Sequence, residues 1–306
     1  MISKIKNELK MKEIILITGA NGHLAQTLGN YLKDEYEVRY LSRKKNNLPS
    51  YYYWNIDEKI IEINALKGCS HIIHLAGYPI LNKWTVKNKE LMYNSRVNSS
   101  KLLFDKCQEQ NIIPKTFITA SAMGIYDLNN TEKINENSIK GSDWLAQLAV
   151  DWETASHAFK SIGCRVIQLR ISLIFSKYAG FLKYNLLSMK FGIAGMIGNK
   201  HKTVNWIEIN DLIKFIKKGI TSNDINGPYN LACDDQLSQL DIVNTVKKIL
   251  YPYCINIRVP IYITKLFLGE RIKIISSNIK LDMSKLKQSG FRCECNTFSQ
   301  LINHLK

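Results

Sequence analysis

A glycine-rich turn near the amino end of the chain carries the clearest chemical signal. Gly19 and Gly22 follow an apolar run, and Ala25 lies three residues further on in a helical stretch. These small residues permit a tight turn, close approach of backbone amides to a diphosphate, and close packing of the helix on the strand. The amino end of a helix also attracts anions. The turn predicts dinucleotide binding, with a purely structural turn as the alternative. The residues expected at the cofactor are Gly19, Asn21, Gly22, His23 and Leu24.

The end of the second predicted strand bears on which dinucleotide would bind. An acidic residue at this point accepts hydrogen bonds from the ribose of NAD, whereas an arginine favours the 2′-phosphate of NADP. The chain has Ser42 and Arg43 here, followed by two lysines and no acid. A guanidinium binds phosphate with two hydrogen bonds. We therefore predict NADP(H), with NAD as the less favoured cofactor and a solvated basic loop as the alternative.

A parallel sheet is needed to hold these residues together. Strand-length apolar runs alternate with helix-length amphipathic stretches, as βαβ units require. The runs are apolar at consecutive positions, which is typical of strands covered on both faces. The predicted strands are 13–18, 37–42, 51–54, 71–76, 115–121, 164–171 and 228–231. The predicted helices are one from the turn to residue 31, then 57–66, 86–110, 143–161 and 210–220. The fold class is α/β, a Rossmann-type doubly wound parallel sheet with a smaller C-terminal α/β lobe.

The pattern also predicts a division into parts. Residues 1–10 are expected to be an N-terminal extension, and residues 11–175 a dinucleotide-binding Rossmann domain to which the chain returns around 205–231. Residues 176–306 are expected to form the substrate lobe, with 250–306 as a small C-terminal domain. Three glycines between residues 192 and 198 indicate a flexible stretch within that lobe.

Composition limits the classes of protein and partner. The net charge is +16, yet the basic residues are dispersed and not interleaved with aromatic residues, so a nucleic-acid partner is disfavoured. Seven scattered cysteines fit reduced thiols and a cytoplasmic location. No apolar run reaches the length of a membrane span. No histidine or cysteine set has metal-ligand spacing, and no metal is predicted.

Several short stretches together resemble one known family. They are TGANGHLA (18–25), HIIHLAG (71–77), KW (83–84), NSRV (94–97), SAMGIY (121–126), DWE (151–153), LRISLIF (169–175), NWIEIND (205–211), GPYN (227–230), LGE (268–270) and GF (290–291). Their order and spacing resemble the extended short-chain dehydrogenase/reductases. The similarity is specifically to the atypical "epimerase family" branch, which is related to nucleotide-sugar epimerases. This similarity covers residues 11–306.

This resemblance implies roles for further residues. Leu75, Ala76 and Gly77 would end a strand beside the inner ribose of the cofactor, and Asn55 would lie near the adenine. Arg96 is expected around the same cleft. Ser121 matches the serine that holds the substrate oxygen in typical family members, with a strand-ending serine as the alternative.

The usual proton-transfer pair of this family is missing. Typical members carry Tyr-x-x-x-Lys on the next helix, and those two positions fall on Leu145 and Ala149. Tyr126 is close to Ser121 in sequence and has suitable phenol chemistry, so it is the candidate proton donor. The alternative is that Tyr126 only packs against its neighbours and has no catalytic role.

Two functions follow from these observations. The first is an NADP(H)-dependent oxidoreductase or epimerase-like enzyme that acts on a small hydroxylated or nucleotide-linked substrate, with an anionic substrate suggested by the positive charge. The second is a non-catalytic NADP(H)-binding sensor or scaffold. A homodimer is the assembly we would test first.

Overall fold

The strands supply the framework that holds the glycine-rich turn. In the computed structural model, residues 12–128 and 132–305 are described, and the predicted extension at 1–10 lies outside them. The strands of the described residues are β1 (Ile14–Thr18), β2 (Glu37–Ser42), β3 (Tyr51–Asn55), β4 (Ile60–Ile61), β5 (Cys69–His74), β6 (Thr116–Ala122), β7 (Lys133–Ile134), β8 (Arg165–Ile171), β9 (Leu173–Phe175), β10 (Ile193–Ile197), β11 (Thr203–Val204), β12 (Trp206–Glu208), β13 (Gly227–Leu231), β14 (Leu237–Ser238), β15 (Ile255–Val259) and β16 (Lys280–Leu281).

Helices cover the sheet and build the C-terminal part. Within the same ranges they are α1 (His23–Leu32), α2 (Val86–Tyr93), α3 (Ser99–Glu109), α4 (Trp144–His157), α5 (Gly180–Lys190), α6 (Ile209–Thr221), α7 (Gln239–Ile249), α8 (Ile261–Leu268), α9 (Ile272–Ser276), α10 (Ser284–Gln288) and α11 (Phe298–Asn303). A π-helical turn at Asn94–Asn98 joins α2 to α3. As far as the chain is described, these helices are too short or too polar to cross a bilayer.

The main sheet has eight strands in the order β13-β8-β6-β5-β1-β2-β3-β4. All neighbouring strands are parallel except β3 and β4. The chain runs outward from β1 through β2 and β3, then returns to β5 on the other side and continues outward. This order confirms the predicted Rossmann-type doubly wound fold. The reversal point lies between β1 and β5, where ligands of such sheets bind at the carboxyl ends of the strands.

The apolar residues of the sheet divide between two cores, one on each face. Ile15 and Ile17 of β1 belong to one core, and Leu16 between them belongs to the other. The same alternation is seen on β6, where Ile118 and Phe117 point to opposite cores. Successive side chains of a strand point to opposite faces, so a strand covered on both sides must be apolar throughout. This geometry explains the uninterrupted apolar runs in the sequence.

The helix predicted at 57–66 is wrong. The segment contains a turn, the short strand β4 and a single 3₁₀ turn at Ile63–Ala65. The side-chain oxygen of Asn55 accepts hydrogen bonds from the backbone N–H groups of Asp57 and Glu58, at 3.0 and 3.3 Å. Lys59 then adopts a left-handed φ of 55°. An asparagine that bonds to the following backbone competes with helix formation, which explains the difference.

The glycine-containing stretch around residue 195 is also more regular than predicted. It forms β10, which pairs in parallel with β15 over five residue pairs from Ile193↔Ile255 to Ile197↔Val259. The chain returns to the main sheet through β13, which lies beside β8. The boundaries of the predicted domains stay predictions.

Candidate functional site

The glycine-rich turn lies at the reversal point of the sheet. Gly19 has a left-handed φ of 76°, and a Cβ on it would lie 3.0 Å from the carbonyl oxygen of Leu75. The N–H of Gly22 donates to the carbonyl oxygen of Gly19 at 2.7 Å. The first helical bond of α1 joins the N–H of Gln26 to the carbonyl oxygen of Gly22, at 3.0 Å. The preceding amides of the helix therefore have no helical partner, and no side chain within residues 12–128 and 132–305 caps them. This end of α1 can accept an anion.

The predicted turn residues differ in exposure. Asn21 and Gly22 are exposed, and His23 and Leu24 are half-buried. Nε2 of His23 lies 2.9 Å from Oγ of Ser176, which follows β9. This contact connects the turn to the segment between β9 and α5.

Thr18 and His74 position the opposite wall of the cleft. The hydroxyl of Thr18 accepts hydrogen bonds from the N–H groups of Leu75 and Ala76, both at 3.0 Å. The same hydroxyl lies 2.8 Å from Nδ1 of His74 and donates to it. Burial lowers the pKa of His74 to about 4, so the imidazole is neutral at physiological pH. The segment from Leu75 to Gly77 is therefore held beside the glycine-rich turn, and its contact with the inner ribose of a cofactor stays a prediction. Sequence reasoning missed the roles of Thr18 and His74.

Arg96 supports the same segment from the π-helical turn. Its guanidinium donates to the carbonyl oxygens of Tyr78 at 3.0 Å and Met92 at 3.3 Å, and it lies 5.2 Å from the ring centre of Trp152. Burial lowers the pKa of Arg96 to about 10. A Cβ on Gly77 would lie 3.0 Å from Nη2 of this arginine, so a larger residue would require the guanidinium to shift by a few tenths of an ångström. Arg96 therefore holds the strand end in place.

The ends of β2 and β3 lie at the same carboxyl edge of the sheet. Ser42 is buried, and its hydroxyl accepts a hydrogen bond from the N–H of Lys44 at 3.1 Å. Arg43 is exposed. Asn55 is half-buried, and its side-chain oxygen is used by the turn that follows β3. Arg43 thus lies at the carboxyl edge of the sheet, where the sequence predicts binding of the 2′-phosphate of NADP(H).

Ser121 and Tyr126 belong to one buried hydrogen-bonded network. The hydroxyl of Ser121 donates to Oε1 of Glu153 at 2.7 Å. Arg170 donates to both carboxylate oxygens of Glu153 at 2.8 Å and to the phenol oxygen of Tyr126 at 2.8 Å. The phenol of Tyr126 donates to Oδ1 of Asn230 at 2.6 Å. The network joins β6, α4, β8 and β13, and sequence reasoning identified only two of its five members.

The environment of Tyr126 limits its acid chemistry. Its side chain is 1% exposed, and burial raises its pKa to about 12 although Arg170 lies beside it. Leu145 and Ala149 are also buried, and Leu145 packs within 3.2 Å of the Cβ position of Gly124. The face of α4 that carries Tyr and Lys in typical members is thus aliphatic.

A small cavity lies between residues near the start of α4 and residues of α9. A cavity of about 220 Å³ lies between Asp143 at the start of α4 and Lys273 of α9, whose Nζ is 3.2 Å from the carboxylate. Arg271 donates to the carbonyl oxygen of Leu81 at 2.6 Å. The cavity is lined by Tyr126, Asp127, Leu128, Gly141, Ser142, Asp143, Lys273 and Ser277. A small molecule bound beside Tyr126 would therefore contact both parts of the chain.

Comparison with known proteins identifies the family. The sequence profile described as "NAD dependent epimerase/dehydratase family" matches residues 15–232. The chain belongs to this family. An epimerase family protein of Staphylococcus haemolyticus is 30% identical over 286 residues, covering 90% of this chain and 93% of the relative. The epimerase family protein YfhF of Bacillus subtilis is 28% identical over 286 residues, with 91% and 93% covered. The resemblance inferred from the short sequence stretches is confirmed.

Solved structures of epimerase family members share the fold. The human epimerase family protein SDR39U1, crystallised with NADPH, superposes with a TM-score of 0.84 at 20% identity, covering 95% of this chain and 98% of that one. UDP-N-acetylglucosamine 4-epimerase from Bacillus cereus gives a TM-score of 0.76 at 16% identity, with 96% and 98% covered. The similarity to these structures extends over nearly the whole chain.

Proposed function

We propose that this protein binds NADP(H) at the glycine-rich turn and acts as an oxidoreductase or epimerase-like enzyme on a small hydroxylated or nucleotide-linked substrate. The observation that carries the proposal is the uncapped end of α1 beside Gly19 and Gly22, at the reversal point of the sheet. Backbone N–H groups and the helix dipole at this position stabilise a diphosphate. We further propose a cytoplasmic location, which the unpaired thiols of the described residues support.

The preference for NADP(H) rests on Arg43. Its guanidinium is exposed at the end of β2, where no carboxylate stands to bind the ribose hydroxyls of NAD. The human relative crystallised with NADPH supports the same choice. When bound, the nicotinamide ring would supply or accept a hydride. Leu75, Ala76 and Gly77 would orient the cofactor from the other wall of the cleft.

Ser121 is proposed to hold the oxygen of the substrate. Its hydroxyl donates to Glu153, so it would accept a hydrogen bond from a substrate hydroxyl without losing that contact. Tyr126 is sealed between Arg170 and Asn230, and these contacts support a positioning role for its phenol over direct proton donation. A small, anionic substrate is the class that we propose, because the chain carries a net charge of +16.

A second candidate function is favoured by a specific observation. Leu145 and Ala149 place no titratable group on the face of α4 where the family's proton-transfer pair stands. A protein that binds NADP(H) without turning it over, as a sensor or scaffold, needs no such group. Both functions require the same cofactor site.

Titration of the purified protein with the four nicotinamide dinucleotides tests the shared cofactor site. We expect NADPH to bind more tightly than NADH. We expect Arg43→Ala to weaken NADPH binding by about 10- to 150-fold, because one charge-assisted interaction with phosphate is worth about 1.5 to 3 kcal/mol. NADH affinity should remain unchanged. Equal affinities of the unaltered protein for NADPH and NADH would contradict the preference.

Turnover distinguishes the two functions. The near-ultraviolet absorbance of reduced nicotinamide is followed while the NADPH-loaded protein is mixed with candidate aldehydes and ketones. The protein loaded with NADP⁺ is mixed with candidate nucleotide sugars, because their oxidation requires the oxidised cofactor. Loss of absorbance in the first experiment, or a gain of absorbance in the second, supports an enzyme. Tight NADPH binding with no change in absorbance and no epimerised product by chromatography supports the sensor or scaffold.

A further inference from the structure

A cluster of thiols and a carboxylate lies outside the cofactor cleft. Asp211 belongs to the first turn of α6, Cys233 follows β13, and Cys293 precedes α11. One potential ligand atom from each of these residues lies within 4.8 Å of the other two. Sγ of Cys293 also lies 4.0 Å from the carbonyl oxygen of Ala232, the residue before Cys233. Three elements that are distant in sequence therefore place soft and hard donors around one point.

The surrounding charge is unbalanced in favour of a cation. Asp211 is 1% exposed, and Glu208, which caps the same helix, is also buried. Among the residues that the structure describes, neither carboxylate forms an ion pair, because the nearby ammonium of Lys214 pairs with Glu294. Buried carboxylates are costly unless a cation or strong hydrogen bonds stabilise them.

Backbone contacts already hold the carboxylate in place. The N–H of Glu294 donates to Oδ1 of Asp211 at 2.9 Å, and the N–H of Cys295 donates to Oδ2 at 3.1 Å. Each carboxylate oxygen keeps a further lone pair for a metal ion. Hydrogen bonds of this kind orient the ligands of metal sites. The segment that supplies Cys293 thus also fixes the direction of Asp211.

A cavity of about 600 Å³ reaches Asp211, one of the three members of the cluster. Its wall includes Asp211, Glu208, Cys295 and His304. It offers a route for an ion from solvent and room for a water molecule. Cys295 is half-buried at this wall, and its thiol contacts the carbonyl oxygen of Thr297 at 3.7 Å.

We propose that Asp211, Cys233 and Cys293 bind one Zn²⁺ ion, with water or Cys295 in the fourth position. Zinc binds thiolates at about 2.3 Å and carboxylates at about 2.0 to 2.2 Å in tetrahedral geometry, which requires ligand atoms roughly 3.4 to 3.8 Å apart. Modest side-chain rotations bring the present cluster to that spacing. On binding, each cysteine thiol releases its proton to solvent and its sulfur donates a lone pair to zinc; no electron transfer occurs. The ion would fasten the segment that contains Cys293 to α6 and β13.

Cobalt substitution provides the test in the full-length, reduced protein. Co²⁺ added to metal-free protein should produce thiolate-to-metal absorption and the strong visible bands of tetrahedral coordination, and Zn²⁺ should abolish them. We expect one zinc per chain after desalting, measured by elemental analysis. Cys233→Ser and Cys293→Ala should lose the bands. Asp211→Asn should weaken zinc binding by about tenfold or more, since even indirect contacts of zinc ligands contribute 10–100-fold.

The control is Cys254→Ser. Cys254 is a buried cysteine outside the cluster, and its thiol contacts the carbonyl oxygen of Met189. This variant should bind zinc normally. Absence of tetrahedral cobalt bands in the unaltered reduced protein would overturn the proposal, whether or not the variants fold. Equal zinc retention by Cys233→Ser and Cys254→Ser would also overturn it. A disulfide between Cys233 and Cys293 in freshly purified protein, with no metal bound after its reduction, would also contradict the proposal. The two cysteines would then be a redox pair and not zinc ligands.

Discussion

At the residue scale, charged groups without partners are the most informative side chains of this protein. Lys202 precedes β11 and is 5% exposed. As far as the chain is described, its ammonium forms no ion pair and no side-chain hydrogen bond. Burial lowers its pKa to about 8 from a usual value near 10.5. Such a lysine destabilises the folded chain when it is charged.

Replacing Lys202 should therefore stabilise the protein. We expect Lys202→Met to raise the free energy of unfolding at pH 7 by about 2 to 3 kcal/mol, since a change of one pKa unit corresponds to about 1.4 kcal/mol. Between pH 8 and 10.5 the unfolded chain holds a proton that the folded chain has released, so the stability of the unaltered protein rises with pH. The advantage of the variant should fade over that window. Urea unfolding at several pH values measures both effects.

The exposed Lys101 of α3 supplies the control, because Lys101→Met should change stability by less than about 0.5 kcal/mol. Destabilisation by Lys202→Met at pH 7 would contradict the interpretation, because it would mean that the ammonium is compensated.

At the element scale, the buried pair of Glu153 and Arg170 joins α4 to the sheet. The two oxygens of the carboxylate meet the guanidinium at 2.8 Å, and both side chains are nearly inaccessible. Removing one member leaves the other charge buried and unpaired, which typically costs about 3 to 5 kcal/mol.

Glu153→Gln should therefore lower the free energy of unfolding by about 3 kcal/mol or more. Urea denaturation followed by circular dichroism measures the loss. Glu109→Gln is the matched control, since Glu109 forms an exposed pair with Lys106 on α3 and such pairs contribute less than about 1 kcal/mol. Similar losses in the two variants would show that burial adds nothing to the pair.

The elements themselves were largely predictable, and the contacts among their side chains were not. Strand β2 was predicted with its observed bounds, because an apolar run between polar turns has few alternatives. The helix predicted at 57–66 failed because the side chain of Asn55 bonds locally to the backbone. The bond between Tyr126 and Asn230 joins residues 104 positions apart. No periodicity records such a pair, so sequence patterns identified Tyr126 without its partners.

At the scale of the whole molecule, a few polar contacts hold the C-terminal part across the cleft. Arg271 binds the carbonyl oxygen of Leu81, Glu270 lies 3.6 Å from Lys89, and Lys273 pairs with Asp143. These groups are mostly exposed, so each contributes little to global stability. They nevertheless determine how firmly the two sides of the cleft are joined.

Arg271→Ala should loosen the cleft without unfolding the protein. Hydrogen exchange monitored by mass spectrometry should quicken in peptides around residues 77–93 and 260–276, while the free energy of unfolding falls by no more than about 1 kcal/mol. Arg292→Ala is the control, because Arg292 bonds only to carbonyl oxygens of Lys287 and Phe291 in its own segment. Unchanged exchange on the Leu81 side in Arg271→Ala would contradict this role.

The wide turn at Asn94–Asn98 has a consequence for how related chains are compared. A π-helical turn accommodates one residue more than an α-helical turn, and one residue corresponds to about 100° of rotation around the helix axis. The extra residue sets the direction in which Ser99 faces His74, at 3.0 Å. A relative that lacks it would present the neighbouring side chain to that imidazole. Aligning such a chain without a gap would therefore match residues that face different directions for the rest of the helix.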